Sequence, residues 1–269
     1  MTAPSGPPPR PETRVESETE IREALHALEI EPAAPPVAPF RPTQRPPVPI
    51  LVVCDDGKRT GEVVRIRGLQ FVIGRTEGDL LLGADELVSA RHAEIVCQQV
   101  GGGYRWVVAD LQSRNGLYVR VHRTHLADGA EFLVGQGRYR FDLPPAAGGG
   151  ETTDQIPGLA DGSGTRGQDS ASEVRPMLTE LTATGPGARI PLLGEAWIGT
   201  DAGCAVRRPN DPYVAPRHVR LAYDRKKRAW RAANNRTENG LWVRVPQIAV
   251  TRECSFQVGE QRFRLTVPG

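Results

Sequence analysis

One string of short motifs occurs twice in this chain, in the same order. The first copy reads Ile73-Gly74-Arg75, then Ser89-Ala90-Arg91-His92, then Ser113-Arg114-Asn115-Gly116-Leu117-Tyr118-Val119. The second reads Ile198-Gly199-Thr200, then Ala215-Pro216-Arg217-His218, then Thr237-Glu238-Asn239-Gly240-Leu241-Trp242-Val243. Further landmarks return at one constant offset: Trp106 as Trp230, Asn115 as Asn239, Phe132 as Phe256, Gly135 as Gly259 and Tyr139 as Phe263. Between histidine and tryptophan the second copy is shorter, where the first carries Gly101-Gly102-Gly103. A length change at a hairpin tip is what two copies of one fold tolerate. The scaffold positions survive in both copies. The residues able to grip an anion, Arg75 and Ser89, become Thr200 and Ala215.

The pattern between these landmarks is β. Short runs at Ile50–Cys54, Glu62–Ile66, Gln70–Ile73, Ala93–Gln98, Tyr104–Ala109, Leu117–Val119, Glu131–Val134 and Arg138–Leu143 are separated by turn signals such as Asp56-Gly57, Asp128-Gly129 and Gly135-Gln136-Gly137. Many short strands with regular turns and no long helical period predict an all-β sandwich or barrel. The pattern stops at Pro144 and restarts at Met177.

The expected organisation is therefore a Pro-rich arm over 1–47, a β-sandwich over 48–143, a Gly/Ser/Asp-rich linker over 144–173 and a second sandwich over 174–269. The arm reads as mostly disordered. It carries a short helix over 18–30, because Ser17 and Glu20 have capping-box spacing and Ile21, Leu25 and Leu28 share a face. The linker, nearly devoid of large apolar residues, reads as flexible.

Charge is uneven. Residues 174–269 hold sixteen Lys/Arg against eight Asp/Glu, whereas the linker holds one against five. The basic second half includes Arg225-Lys226-Lys227-Arg228 at a hairpin tip, which reads either as a solvated turn or as a docking point for an acidic partner. No interleaved aromatic platform accompanies it, which argues against nucleic acid. The four cysteines, Cys54, Cys97, Cys204 and Cys254, form no C-x-x-C pair, so neither a metal site nor a disulfide framework is expected. No apolar stretch reaches the ~18 residues of a membrane span. A cytoplasmic protein without cofactor is expected.

Gly-Arg, Ser-x-x-His and Ser-x-Asn-Gly at these spacings resemble the forkhead-associated (FHA) domain, over about 49–143 and more weakly over 174–268. The resemblance implies two FHA-like β-sandwiches, the second degenerate, and phosphothreonine-peptide binding on loops at one end of the first. It implies Arg75 and Ser89 as phosphate ligands, Arg91 as an accessory cation and Asn115 as the residue holding the peptide backbone. Arg114 departs from the family pattern, either adding charge or pointing away. Gly74, His92, Gly116, Gly199, His218, Asn239 and Gly240 are scaffold. A phosphate carries nearly two charges and three acceptors, so a guanidinium, a hydroxyl and backbone N–H groups suit it.

Ser89, His92 and Asp110 also permit a nucleophile–base–orienter reading. That His218 persists where the hydroxyl has become Ala215 marks the histidine as structure, and no catalytic residue is expected. The implied protein is a non-enzymatic adaptor whose partner is a phosphothreonine protein, either a Ser/Thr kinase or its substrate. The alternative is a phospho-independent structural component of an assembly. Within the linker, Thr153 followed by Ile156 is a candidate phosphosite for self-occupation of the first site.

Overall fold

The computed structural model describes residues 17–20, 22–23, 45–144 and 175–268. Thr153, most of the arm and nearly all of the 144–173 connection lie outside the described residues. In the arm, residues 18–20 and 22–23 are helical, and Ser17 and Glu20 make the capping box. The Ser17 N–H donates to Glu20 Oε2 at 2.9 Å, and the Glu20 N–H donates to Ser17 Oγ at 3.3 Å.

The rest is all β. The first half supplies β1 (Ile50–Cys54), β2 (Gly61–Arg65), β3 (Gln70–Gly74), β4 (Leu80–Leu81), β5 (Ala93–Val100), β6 (Gly103–Asp110), β7 (Leu117–Val121), β8 (Arg123–Leu126), β9 (Ala130–Val134) and β10 (Gly137–Asp142). The second half repeats them as β11 (Met177–Thr182), β12 (Gly185–Pro191), β13 (Ala196–Gly199), β14 (Val206–Arg207), β15 (Val219–Asp224), β16 (Ala229–Asn234), β17 (Leu241–Val245), β18 (Gln247–Val250), β19 (Glu253–Val258) and β20 (Gln261–Thr266).

The strands are those of a repeat, but their partners cross between the halves. One ten-stranded sheet runs β12-β11-β10-β9-β17-β7-β19-β20-β1-β2, and two five-stranded sheets run β14-β13-β15-β16-β8 and β18-β6-β5-β3-β4. The expectation of one self-contained sandwich in 48–143 and another in 174–269 is thus not how the strands pair. Each half sends its last three strands to the other half's sandwich. The exchange is reciprocal to the residue. Trp106 pairs with Val250 in the first sandwich, as Trp230 pairs with Leu126 in the second. Val119 pairs with Phe256 as Val243 pairs with Phe132.

The physical reason lies in the connections. A single residue, His122, separates β7 from β8, and a single residue, Pro246, separates β17 from β18. So short a link carries the chain straight on, whereas doubling back onto its own sandwich needs a loop. The crossing points are pinned symmetrically: the Asn234 N–H donates to the His122 carbonyl at 2.9 Å, and the Asp110 N–H donates to the Pro246 carbonyl at 2.8 Å.

Two cores result. The first packs Leu51, Ile73, Ile95, Trp106 and Leu117 against Phe256, Val258, Phe263 and Leu265 of the second half. The second packs Phe132, Val134, Tyr139 and Phe141 of the first half against Ile198, Val219, Leu221 and Trp230. Val121 packs against both. Directly paired residues point to one face, and Val119 of the first core pairs with Val243, which packs on the second. Both cores therefore lie on the same face of the ten-stranded sheet.

Candidate functional site

Two loops meet at one end of the first sandwich. The β3 strand runs straight into Arg75, whose N–H donates to the Ser89 carbonyl at 2.9 Å. The Glu77 N–H donates to the Ala90 carbonyl at 3.0 Å. Gly74 permits this approach: a Cβ there would collide with the Ala90 and Glu77 carbonyls, so only glycine fits. From the other side comes the loop after β6. The Arg114 N–H donates to Ser89 Oγ at 3.1 Å, and the Asn115 side-chain amide donates to the Leu87 carbonyl at 2.8 Å.

Arg75, Ser89, Arg114 and Asn115 thus share one rim, with Arg91 exposed beside Ser89. Because Ser89 Oγ accepts from the Arg114 amide, its own O–H is left to donate outward. Arg75, Arg91 and Arg114 make no ion pair among the described residues, and Arg75 Nε has no hydrogen-bond partner. Among the described residues, then, no carboxylate pairs with these three arginines, and the Ser89 hydroxyl keeps its proton to donate.

His92 is fully buried beneath this rim. Its Nδ1 accepts the Ser89 N–H at 3.2 Å, which leaves Nε2 as the protonated nitrogen, 3.0 Å from the Gly116 carbonyl. Both ring nitrogens are occupied in tying the two loops together, and Ser89 Oγ is not bonded to the ring. This is a brace. His218 repeats it, accepting the Ala215 N–H at 3.1 Å and facing the Gly240 carbonyl at 3.0 Å. The Ser113 hydroxyl, held by Asp110, caps the turn by accepting the Gly116 N–H at 3.0 Å. Gln112 and its counterpart Arg236 both adopt φ 57°, so the two copies share even this unusual backbone.

Burial pushes the pKa values of both His92 and His218 below the ordinary 6.5. A depressed folded-state value means the unfolded chain binds the proton first, so their contribution to stability is intact above pH 6.5 and falls as the pH drops below it. Calorimetric melting is expected to show Tm falling from pH 7 towards pH 5. The fall is expected to be shallower in a His218→Gln variant.

The second rim keeps the frame with other side chains. The Thr200 N–H donates to the Ala215 carbonyl at 3.2 Å, and the Asn239 amide donates to the Tyr213 carbonyl at 3.0 Å. Thr200, Ala215 and Glu238 stand at the positions of Arg75, Ser89 and Arg114. Arg217 lies 3.8 Å from Asp201 and 5.7 Å from the Trp197 ring centroid, so its charge is engaged locally. The basic run Arg225–Arg228 forms the turn between β15 and β16, with the Lys226 and Lys227 N–H groups donating to Asp224.

Residues of the second half also hold the first rim. The Glu260 N–H donates to Asp85 in the loop bearing Ser89, at 2.7 Å. Gly259, at φ 58°, packs so closely there that a Cβ would strike Asp85 and Val88. The Arg244 side chain lies against Gly116, where a Cβ would meet it. The signal for Arg244 was present in the repeat, where Leu117-Tyr118-Val119-Arg120-Val121 returns as Leu241-Trp242-Val243-Arg244-Val245. Only the pairing of β7 with β17 shows which loop each arginine serves.

Fold and rim together define an all-β sandwich protein whose loops bring Arg75, Ser89, Arg114 and Asn115 to one edge. Residues 71–135 match the family model of the FHA domain. The match runs from β3 into the turn after β9, and so crosses the point where the chain passes from one sandwich to the other. A solved structure, Mycobacterium tuberculosis EmbR in complex with a low affinity phosphopeptide, is similar at 22% identity over 49% of this chain, with a TM-score of 0.25. The likeness covers 32% of that chain. No curated protein matches. Among the described residues, no helix is long and apolar enough to cross a membrane, and no group of His, Cys, Asp and Glu is placed to hold a metal.

Proposed function

We propose that the first rim binds a phosphothreonine-containing peptide, and that the chain is a non-enzymatic adaptor for a protein phosphorylated by a Ser/Thr kinase. One observation carries this reading: the backbones of Arg75 and Ser89 are hydrogen-bonded to each other, the serine hydroxyl accepts from the Arg114 amide, and Arg75 makes no ion pair among the described residues. In this reading Arg75 and Ser89 take the phosphate and Arg91 and Arg114 add positive charge. Asn115 steadies the Leu87 carbonyl and meets the peptide backbone. The FHA match over 71–135 supports the same ligand class.

The second rim serves protein contact, its anion ligands having been replaced. The four unpaired cysteines are in keeping with a reducing, cytoplasmic setting. The test is a phosphothreonine peptide array probed with the full chain and with Arg75→Ala. Selective spots lost in the variant support the reading, and spots shared by both count against it.

A further inference from the structure

The face of the ten-stranded sheet turned away from both cores carries arginines at positions repeated between the halves. In one half, Glu131 is their hub. Arg138 Nη2 lies 2.6 Å from Glu131 Oε2, and Arg244 Nη1 lies 3.1 Å from Glu131 Oε1. Directly opposite Glu131 on β10 is Arg140, which bonds Asp142 at 2.6 Å. Three guanidinium groups are thus satisfied by two carboxylates.

In the other half the arginines recur and both carboxylates are gone. Arg262, Arg120 and Arg264 take the places of Arg138, Arg244 and Arg140; Ser255 takes that of Glu131 and Thr266 that of Asp142. The register is the same. Ser255 is opposite Arg264 on β20, and the pairing of Phe256 with Val119 brings Ser255 opposite Arg120 on β7.

What remains is incompletely satisfied. Arg264 Nε has no partner, whereas its counterpart in Arg140 bonds Asp142. Arg262 lies 4.9 Å over the Trp242 ring and reaches only the neutral Gln257 amide oxygen, at 3.4 Å. Arg120 donates to the backbone carbonyls of Glu238 and Thr237. Two acids lie at the edges of the group: Glu253, 4.0 Å from Arg264 and 3.7 Å from Arg59, and Glu238, which acts on Arg120. Burial lowers the pKa of both Arg120 and Arg262; Arg59 lowers the first further, partly offset by Glu238, and Arg120 lowers the second further. In the other half, the hydrogen bond to Asp142 raises Arg140. A cavity of about 410 Å³ lies on the Arg120 side of Ser255, lined by Arg59, Arg120, His122 and Glu253 and by apolar residues such as Val119 and Ile248, but not by Arg262 or Arg264.

We propose that Arg120, Arg262 and Arg264, grouped around Ser255, form a second oxyanion site that takes a phosphate group where the other half uses its own Glu131. The ligand fills the space a carboxylate side chain occupies in the sister half, with the Ser255 hydroxyl as an additional donor. Guanidinium forks suit phosphate oxygens, and a dianion matches more than one arginine. Two of the three arginines lie on β20, from the second half, and Arg120 on β7, from the first. The site therefore exists only because the strands are exchanged. It does not depend on the rim, and its test removes the rim from the experiment.

The full chain carrying Arg75→Ala and Ser89→Ala is titrated with inorganic phosphate at constant ionic strength, with chloride as control, and Tm is read. A ligand that binds only the folded state raises Tm, by about 3–5 °C at ten times its Kd for a chain of this size. Adding Ser255→Glu, which restores the internal carboxylate, is expected to abolish the phosphate response and to raise Tm in phosphate-free buffer. Arg262→Gln is expected to weaken the response at least tenfold in phosphate concentration, and it serves if Ser255→Glu does not fold. No phosphate response in the rim-disabled chain overturns the proposal. So does a response that survives Ser255→Glu or Arg262→Gln unchanged.

Discussion

A chain cut to residues 46–143 is expected not to give a monomeric, cooperatively melting sandwich. In the intact chain β1 pairs with β20, β6 with β18 and β7 with β19, and the cut removes all three partners. It also strips Val250, Phe256, Val258, Phe263 and Leu265 from the first core. Each fully buried side chain of this size contributes roughly 1.5–3 kcal/mol, so the loss is about 10 kcal/mol, against a whole-domain stability of about 5–15 kcal/mol.

The fragment still holds β8–β10, the equivalents of what it lost, but the one-residue link at His122 does not let them fold back without melting a strand end. Two copies exchanging β8–β10 relieve this, so light scattering is expected to show a dimer or an aggregate. Mixed with residues 175–269, the fragment is expected to form a 1:1 complex, because the exchange is reciprocal. A stable 46–143 monomer with a sharp calorimetric transition would contradict the strand assignment.

Arg75→Ala is expected to weaken phosphothreonine-peptide binding at least 100-fold while leaving Tm within about 1 °C. Charge-assisted hydrogen bonds contribute about 1.5–3 kcal/mol each, and a bidentate guanidinium makes two of them. The loss is about 3–5 kcal/mol, at about 1.4 kcal/mol for each factor of ten. Stability is spared because Arg75 is part-exposed and makes no ion pair among the described residues, and its backbone bond to Ser89 survives the substitution. Fluorescence anisotropy with a labelled phosphopeptide reads the first effect and calorimetric melting the second. Equal affinity in both proteins would remove Arg75 from the site.

Much of the fold was legible in the residues themselves. Short apolar runs such as Gln70–Ile73 and Glu131–Val134, bounded by glycine turns, read as strands whatever their neighbours are. Two strands escaped: β4, of two residues, and β8, Arg-Thr-His-Leu, which has one buried apolar residue, Leu126. The rim was legible because its parts are local. A Gly-Arg step and a Ser-x-x-His turn encode their own geometry, and Ser89 meets Arg75 through the β3–β5 pairing.

The exchange was not legible, and the reason is energetic degeneracy. Phe132 and Phe256, Val134 and Val258, and Leu126 and Val250 are near-equivalent in size and register, so either set fills either core at similar cost. What separates the two pairings is the length of two connections, which no hydrophobic pattern reports. The same degeneracy hid the contacts of Arg244, Glu260 and Gly259 with the first rim, since their spatial neighbours are set by the exchange alone.

The central claim is that the first rim captures a doubly charged phosphate ester. Titration calorimetry of the full chain against one peptide in its phosphothreonine and threonine forms tests it most directly. On the proposed reading, binding is expected for the phosphorylated form and none measurable for the other, with the difference abolished by Arg75→Ala. Equal heats for the two forms, or a phosphate preference that Arg75→Ala leaves intact, would contradict it.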